Sequence, residues 1–296
     1  VEIVAFYKAK NEFDSPVPVH YLGIFPSHNI FSKSIGQLKR IWKLAKIRRE
    51  KNAAYVYSFG TSVTITNAFS GLVSPGLVIS PIHEFTTVRK HPLDWFVYRN
   101  SDAVICISKA MKGALTSLYP KLGNIVVIHN GYDIAEIVKK SEKKLPLETP
   151  TYQFVAMGRL EPVKGFDRLI KAFALVLKQI PNASLALIGG GSLEHDLKAL
   201  AQVEGVQDAV HFLGMQPNPF SYLKQGEIFV LSSRNEGFPN SLVEALGCGL
   251  AIVAIDCMSG PKEILSQEYN PLPVKGVQVS DYGLLCEMST NEEQNI

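Results

Sequence analysis

Apolar residues along the chain cluster into short blocks of two kinds. The first kind is a compact run bounded by turn residues: Val1 to Tyr7, Val17 to Gly23, Ala53 to Phe59, Leu77 to Ser80, Ser101 to Ser108 and Asn124 to His129. The same kind recurs at Phe154 to Met157, Ala183 to Ile188, Val210 to Leu213, Ile228 to Ser232, Leu250 to Ile255 and Tyr282 to Leu285. Runs this short predict buried strands. The second kind repeats at helical spacing, over 33–51, 61–72, 109–118 and 166–177. Ser108 is the expected cap of the third helix. Strands alternating with helices predict parallel strands joined by crossover helices, an α/β class.

The polar, proline-punctuated stretch Lys139–Pro150 is the expected linker between domains 1–145 and 146–296. In the second half, strands run into Gly158, Gly189-Gly190-Gly191, Gly214 and the loop around Glu236. Doubly wound sheets bind ligands at the carboxyl ends of their strands, and helix starts attract anions. The glycines after Ile188 do not form G-x-G-x-x-G, and no acid follows at a ribose-binding distance, so a dinucleotide site is weakly supported.

The stretch Arg234 to Gly249 organises that half. Its carboxylates, Glu236 and Glu244, are separated by seven residues. Ser241-Leu-Val-Glu244 also has the form of a capping box with Ser241 as N-cap, so a structural role for Glu244 stays open. Glu236 lies in a Gly/Pro loop where neither a core nor a cap needs a carboxylate. The loop Gly158-Arg159…Lys164-Gly165 sets two cations between glycines, as a diphosphate clamp would. His83 follows a strand end; alone, it is as well explained as a structural residue. Asn130-Gly131 reads as a turn.

Composition narrows the class. Hydrophobic residues make up 46% and charged ones 19%, a globular composition without an 18-residue apolar run. No signal peptide is recognisable, and the chain starts at Val1 within a strand pattern. Cys106, Cys248, Cys257 and Cys286 form no C-x-x-C pair and are expected as free, buried thiols in a reducing cytosol. Residues 1–150 hold 20 Lys/Arg against 11 Asp/Glu, net +9; residues 151–296 hold 10 against 16, net −6. Helix 33–51 alone has eight basic residues and one Glu, with Ile35, Leu38, Ile41, Trp42, Ala45 and Ile47 at helical spacing. It is either a surface helix packed on the sheet or one that touches anionic lipid headgroups.

Taken together, Gly158-Arg-Leu…Lys164-Gly165, Gly189-Gly-Gly191 and Glu236-Gly-Phe-Pro-Asn-Ser-Leu-Val-Glu244-Ala resemble family 4 glycosyltransferases. The resemblance implies the GT-B fold, two Rossmann-like doubly wound domains facing across a cleft. It implies a retaining transferase that moves a sugar from a nucleotide-diphosphate donor, expected to be UDP-linked, to a glycan or lipid-linked acceptor in cell-surface polysaccharide synthesis. Arg159 and Lys164 are then the diphosphate pair, Glu236 the acid near the transferred sugar, and Glu244 the acid holding ribose hydroxyls. Gly237, Phe238, Pro239 and Asn240 would face sugar and phosphate. Gly158, Gly190, Met215 and Leu242 would complete the donor site. His83 would be the histidine of the cleft, and Asn130 a weaker cleft residue.

No metal and no cofactor besides the donor are implied, and no nucleic acid. The expected location is cytoplasmic, peripheral on the inner membrane face through helix 33–51. The family's first strand with its Gly-rich loop, and its last crossover helix, have no counterpart; if the polypeptide has these limits, an unstable first domain and little activity are expected, and a longer natural chain is the simpler explanation. A sugar-nucleotide epimerase of the same architecture and a non-catalytic nucleotide-sugar binder remain alternatives.

Overall fold

Most of these runs become strands and the helical patterns become helices, in a computed structural model that describes residues 1–6, 16–25, 30–83, 88, 92–145 and 149–288. Packing divides the chain into two units. The first comprises residues 1–83, 87–107 and 112–128, and the second 84–86, 108–111 and 129–296.

In the first unit β1 (Ile3–Ala5) pairs in parallel with β2 (Val19–Tyr21). A separate parallel sheet runs β3 (Tyr55–Tyr57), β4 (Leu77–Ile82), β5 (Ala103–Cys106), β6 (Ile125–Val127) in that order. The helices are α1 (Ile30–Glu50), α2 (Thr61–Gly71), α3 (Pro92–Arg99) and, from Lys112 on, α4 (Lys109–Leu118), whose first three residues group with the second unit. Ser108 Oγ accepts the Met111 amide at 3.1 Å, the expected cap. Helix α1 buries Leu44, Ala45 and Arg48. Arg48 donates to Asn67 Oδ1 at 2.8 Å and to the Pro75 and Gly76 carbonyls, so one basic residue of this helix is structural. That register leaves Ile35, Leu38 and Trp42 exposed, Trp42 by 73%, so the apolar face expected against a sheet is only partly covered.

The second unit contains α5 (Ile134–Ser141), β7 (Tyr152–Met157), α6 (Phe166–Gln179), β8 (Leu185–Ile188), α7 (Glu194–Val203) and β9 (Val210–Gly214). It continues with α8 (Pro219–Leu223), β10 (Gly226–Leu231), α9 (Asn240–Gly247), β11 (Ala251–Ile255), α10 (Pro261–Leu265), β12 (Val277–Ser280) and β13 (Gly283–Cys286). The sheet order is β12-β13-β11-β10-β7-β8-β9, parallel except for the β12–β13 pair.

Both faces of this sheet are covered, which explains why its strands read as continuous apolar runs. Val155, Ala186, Ile188, Phe229 and Leu231 point into one core with Ile137, Leu242 and Ala245. Their neighbours Ala156, Leu185 and Leu187 point into the other, with Leu169, Ile170, Phe173 and Leu197. Successive strand residues face opposite sides, so one segment feeds both layers. Because Ile137 belongs to the first of these cores, α5 packs with the second unit, and the division falls ahead of it rather than in 139–150.

Cys106, Cys248 and Cys257 are buried free thiols, and Cys286 is half-buried. Burial pushes the Cys106 thiol up to about 12 and that of Cys248 up to about 11. Among the described residues no helix is long and apolar enough to cross a membrane.

Candidate active site

The carboxyl ends of β7, β8, β9 and β10 lie along one edge of the second sheet, since these parallel strands are neighbours. Gly158, Gly189, Gly214 and the loop around Glu236 all leave from that edge. Chain reversal after β7 is tight: Pro162–Lys164 form a 3-10 turn that ends on Gly165 at φ 64°. A Cβ on Gly165 would collide with the Ser232 carbonyl oxygen, so only glycine lets the two loops touch. Gly189, at φ 133°, meets the Gly158 carbonyl in the same way.

Lys164 and Glu236 meet here, Nζ to Oε1 at 2.7 Å, with side chains 21% and 9% exposed. Ser233 Oγ donates to the same Oε1 at 2.6 Å. Gly158 lies against the Lys164 stem, where a Cβ would be 3.5 Å from Cδ. Arg159 is more exposed and pairs with Glu161 at 2.8 Å. Arg234 grips Asp167 with both terminal nitrogens at 2.7 Å. The Arg234 guanidinium holds the Asp167 carboxyl below the usual carboxylate range.

Helix α9 starts at Asn240 with Pro239 as N-cap and no side-chain cap bond. Ser241 is therefore inside the helix, and the capping box expected of Ser241 and Glu244 does not form. The reason is local: Pro239, at φ −69°, already has the backbone of a helix entry one residue before Asn240. Glu244 is half-buried, and its carboxylate makes no hydrogen bond among the described residues. Burial pushes its carboxyl above the usual range.

Asn240 Oδ1 receives Asn130 Nδ2 and Tyr132 OH, both at 2.8 Å. Phe238 stacks on His129 with centroids 4.9 Å apart, and the Gly237 carbonyl accepts Ser259 Oγ at 2.7 Å. Met215 is 81% exposed and lies over Gly190, where a Cβ would come 3.2 Å from its Cγ.

The sheet edge thus collects Gly158, Arg159, Lys164, Gly190, Met215, Glu236, Gly237, Phe238, Pro239, Asn240 and Glu244, with Asn130 tied to Asn240. Leu242 differs: fully buried, it sits in the core and steadies α9 instead of lining a surface. His83 belongs to the first unit, after β4, with its ring 4.3 Å from that of Phe59. Sequence reasoning missed Tyr132, His129, Ser233, Ser259 and the Arg234–Asp167 pair. Only Ser233 and Asp167 carry a signal in the sequence, each three residues from a charged residue of the loops.

Comparison with known proteins agrees with the architecture. A profile described as Glycosyltransferase Family 4 matches residues 3–136, and one described as Glycosyl transferases group 1 matches residues 137–282. An uncharacterized glycosyltransferase of Methanocaldococcus jannaschii is 31% identical over 263 residues, covering 79% of this chain and 63% of that protein. The N-acetylgalactosamine-N,N'-diacetylbacillosaminyl-diphospho-undecaprenol 4-alpha-N-acetylgalactosaminyltransferase of Campylobacter jejuni is 28% identical, covering 65% and 48%. The chain therefore spans about half to two thirds of the length of these relatives. Among solved structures, Anabaena HepE in complex with UDP-glucose superposes with TM-score 0.69 at 21% identity, over 94% of this chain and 74% of that one. With two adjoining profiles covering residues 3–282 and two parallel-sheet units, the chain belongs to the family 4 glycosyltransferases of the GT-B fold.

Proposed function

We propose that this chain carries the donor site of a retaining glycosyltransferase that moves a sugar from a UDP-sugar to a glycan or lipid-linked acceptor in cell-surface glycan synthesis. The observation that carries the proposal is the Lys164–Glu236 pair at the strand ends of the second unit. Glycosyl transfer breaks the anomeric C–O bond and leaves charge on the departing diphosphate. Preorganised positive groups aimed at that charge are the main lever. Lys164, Arg159 and the start of α9, which has no side-chain cap, supply them, without a metal. In this reading Glu236, paired with Lys164, faces the sugar that gains positive character. In the same reading Glu244, one turn along α9 from Asn240, holds the ribose hydroxyls. Met215 over Gly190 offers an apolar platform for the base. Relatives named for UDP-galactose and for diphospho-undecaprenol acceptors support the donor and acceptor classes.

Release of UDP from a panel of UDP-sugars, measured with and without lipid-linked acceptors, tests the proposal. Transfer predicts UDP release only with acceptor, abolished by Glu236→Gln. Sugar interconversion without acceptor would favour an epimerase, and binding without turnover a nucleotide-sugar binder.

We also propose that α1 meets an anionic membrane surface, working from the cytoplasmic side. Leu38 and Trp42 are exposed at 67% and 73% on a helix rich in Lys and Arg. Flotation with phosphatidylglycerol vesicles should fall in the Leu38→Ser/Trp42→Ser double variant. Equal flotation of variant and parent would contradict it.

A further inference from the structure

We propose that Arg234 is a positioning residue: clamped to Asp167, it holds Lys164 and Glu236 in register. This rests on the donor-site proposal above. Lys164 and Glu236 are carried by different loops, one after β7 and one after β10. Those strands are paired, so the loops leave the sheet side by side. Neighbouring origins alone do not fix two side chains to a hydrogen-bond distance.

The loops are tied directly. The Arg234 amide donates to the Val163 carbonyl at 2.8 Å, and Ser232 Oγ donates to the Lys164 carbonyl at 2.9 Å. Arg234 Nη1 reaches the Pro162 carbonyl at 3.0 Å. Over these lies the guanidinium–carboxylate fork to Asp167, two bonds of 2.7 Å. Asp167 is in the first turn of α6, where a negative charge is favoured by the helix start. Each clamp member stands close in sequence to a residue of the pair: Asp167 is three after Lys164, and Arg234 two before Glu236. A two-bond fork fixes direction as well as distance, which a lysine ammonium cannot do.

The ion pair is partly exposed, with side chains 24% and 38% accessible. Pairs this exposed add little to global stability. Its consequence is local: it holds the loop bearing Lys164 against the loop bearing Glu236. Small displacements of a charge-stabilising group carry large penalties in binding and rate.

The test is a double-mutant cycle on the full chain, with UDP as probe in titration calorimetry and amide hydrogen exchange as a ligand-independent readout. Arg234→Ala and Asp167→Ala should each weaken UDP binding about tenfold, and the double variant should be no weaker than about tenfold, since coupled residues are non-additive. Arg234→Lys, which keeps the charge and loses the fork, should recover less than about half of that loss on a logarithmic scale. Amides of 158–166 and 232–240 should exchange faster in each single variant, while β8 and α7 stay protected and the thermal midpoint barely moves. Losses that multiply to about a hundredfold in the double variant would overturn the clamp. So would unchanged UDP affinity and unchanged loop exchange. If the parent fails to bind UDP while loop exchange still responds to Arg234→Ala, the donor-site proposal falls, and the positioning role with it, leaving only loop ordering.

Discussion

Lys164 and Glu236 are 72 residues apart in sequence, yet their charged groups meet at 2.7 Å where two neighbouring parallel strands end. Both are largely shielded from water. Removing one leaves the other poorly compensated. Lys164→Ala should therefore lower the turnover number of sugar transfer by about 10²–10³, the usual loss when a donor to the developing charge is removed. Steady-state UDP release with acceptor checks this; a variant within about threefold of the parent would contradict it.

Glu244 sets function against stability. Its carboxyl is half-buried and has no hydrogen-bond partner among the described residues, and burial raises its pKa in the folded state above the unfolded value. In the window between those two values the folded state binds more protons than the unfolded one, so stability falls as pH rises through it. Ionised Glu244 therefore opposes folding above its folded pKa. Glu244→Gln should raise the thermal midpoint at pH 7–8, and the gain should vanish below about pH 4, where both states are protonated. On the donor-site proposal the same variant should weaken UDP binding about tenfold, since a neutral amide would lose charge-assisted bonds to ribose hydroxyls.

Asp167 behaves in the opposite sense. Arg234 depresses its folded pKa, so its contribution is present above the unfolded pKa and fades as pH falls through the folded one. NMR titration of the Asp167 carboxyl in Arg234→Ala should return it toward the ordinary value of about 3.9. An unchanged titration would contradict the pairing.

Tyr132 and Asn130 both donate to the side-chain oxygen of Asn240, the first residue of α9. Tyr132→Phe removes one of these bonds without changing the ring. UDP-sugar affinity should drop about threefold to tenfold, the worth of one such bond, with little change in thermal midpoint. Leu242→Ala is the contrasting case. A cavity among Ile188, Leu231 and Ala245 should cost about 2–5 kcal/mol of stability in denaturant unfolding. UDP affinity of the protein that remains folded should be near that of the parent.

How much of this was legible in the sequence follows from what each feature depends on. In the second sheet Leu185–Ile188 was legible because all four of its residues are buried, so it reads as an unbroken apolar run. The edge strand Val277–Ser280 was not, since it is exposed and follows a proline-rich turn. Helix α5 was hidden by its lysines, although the Asp133 side chain accepts the Glu136 amide as a clear N-cap. Helix α3, with Pro92 at its start, was missed because only eight residues carry its pattern. The residues Lys164, Glu236 and Glu244 stood out by type and spacing. Their partners did not, because contacts such as Tyr132 to Asn240 depend on how separate loops pack. The burial of Leu242 was hidden for the same reason: its position two residues before Glu244 does not tell which face of α9 it occupies.

The central claim, a nucleoside-diphosphate site at the strand ends of the second unit, is tested most directly by calorimetric titration of the parent and Lys164→Ala with UDP and with uridine. The parent should bind UDP far more tightly than uridine, and Lys164→Ala should lose about a hundredfold for UDP and little for uridine. Equal affinity for the two ligands, or UDP binding untouched by the loss of Lys164, would contradict it.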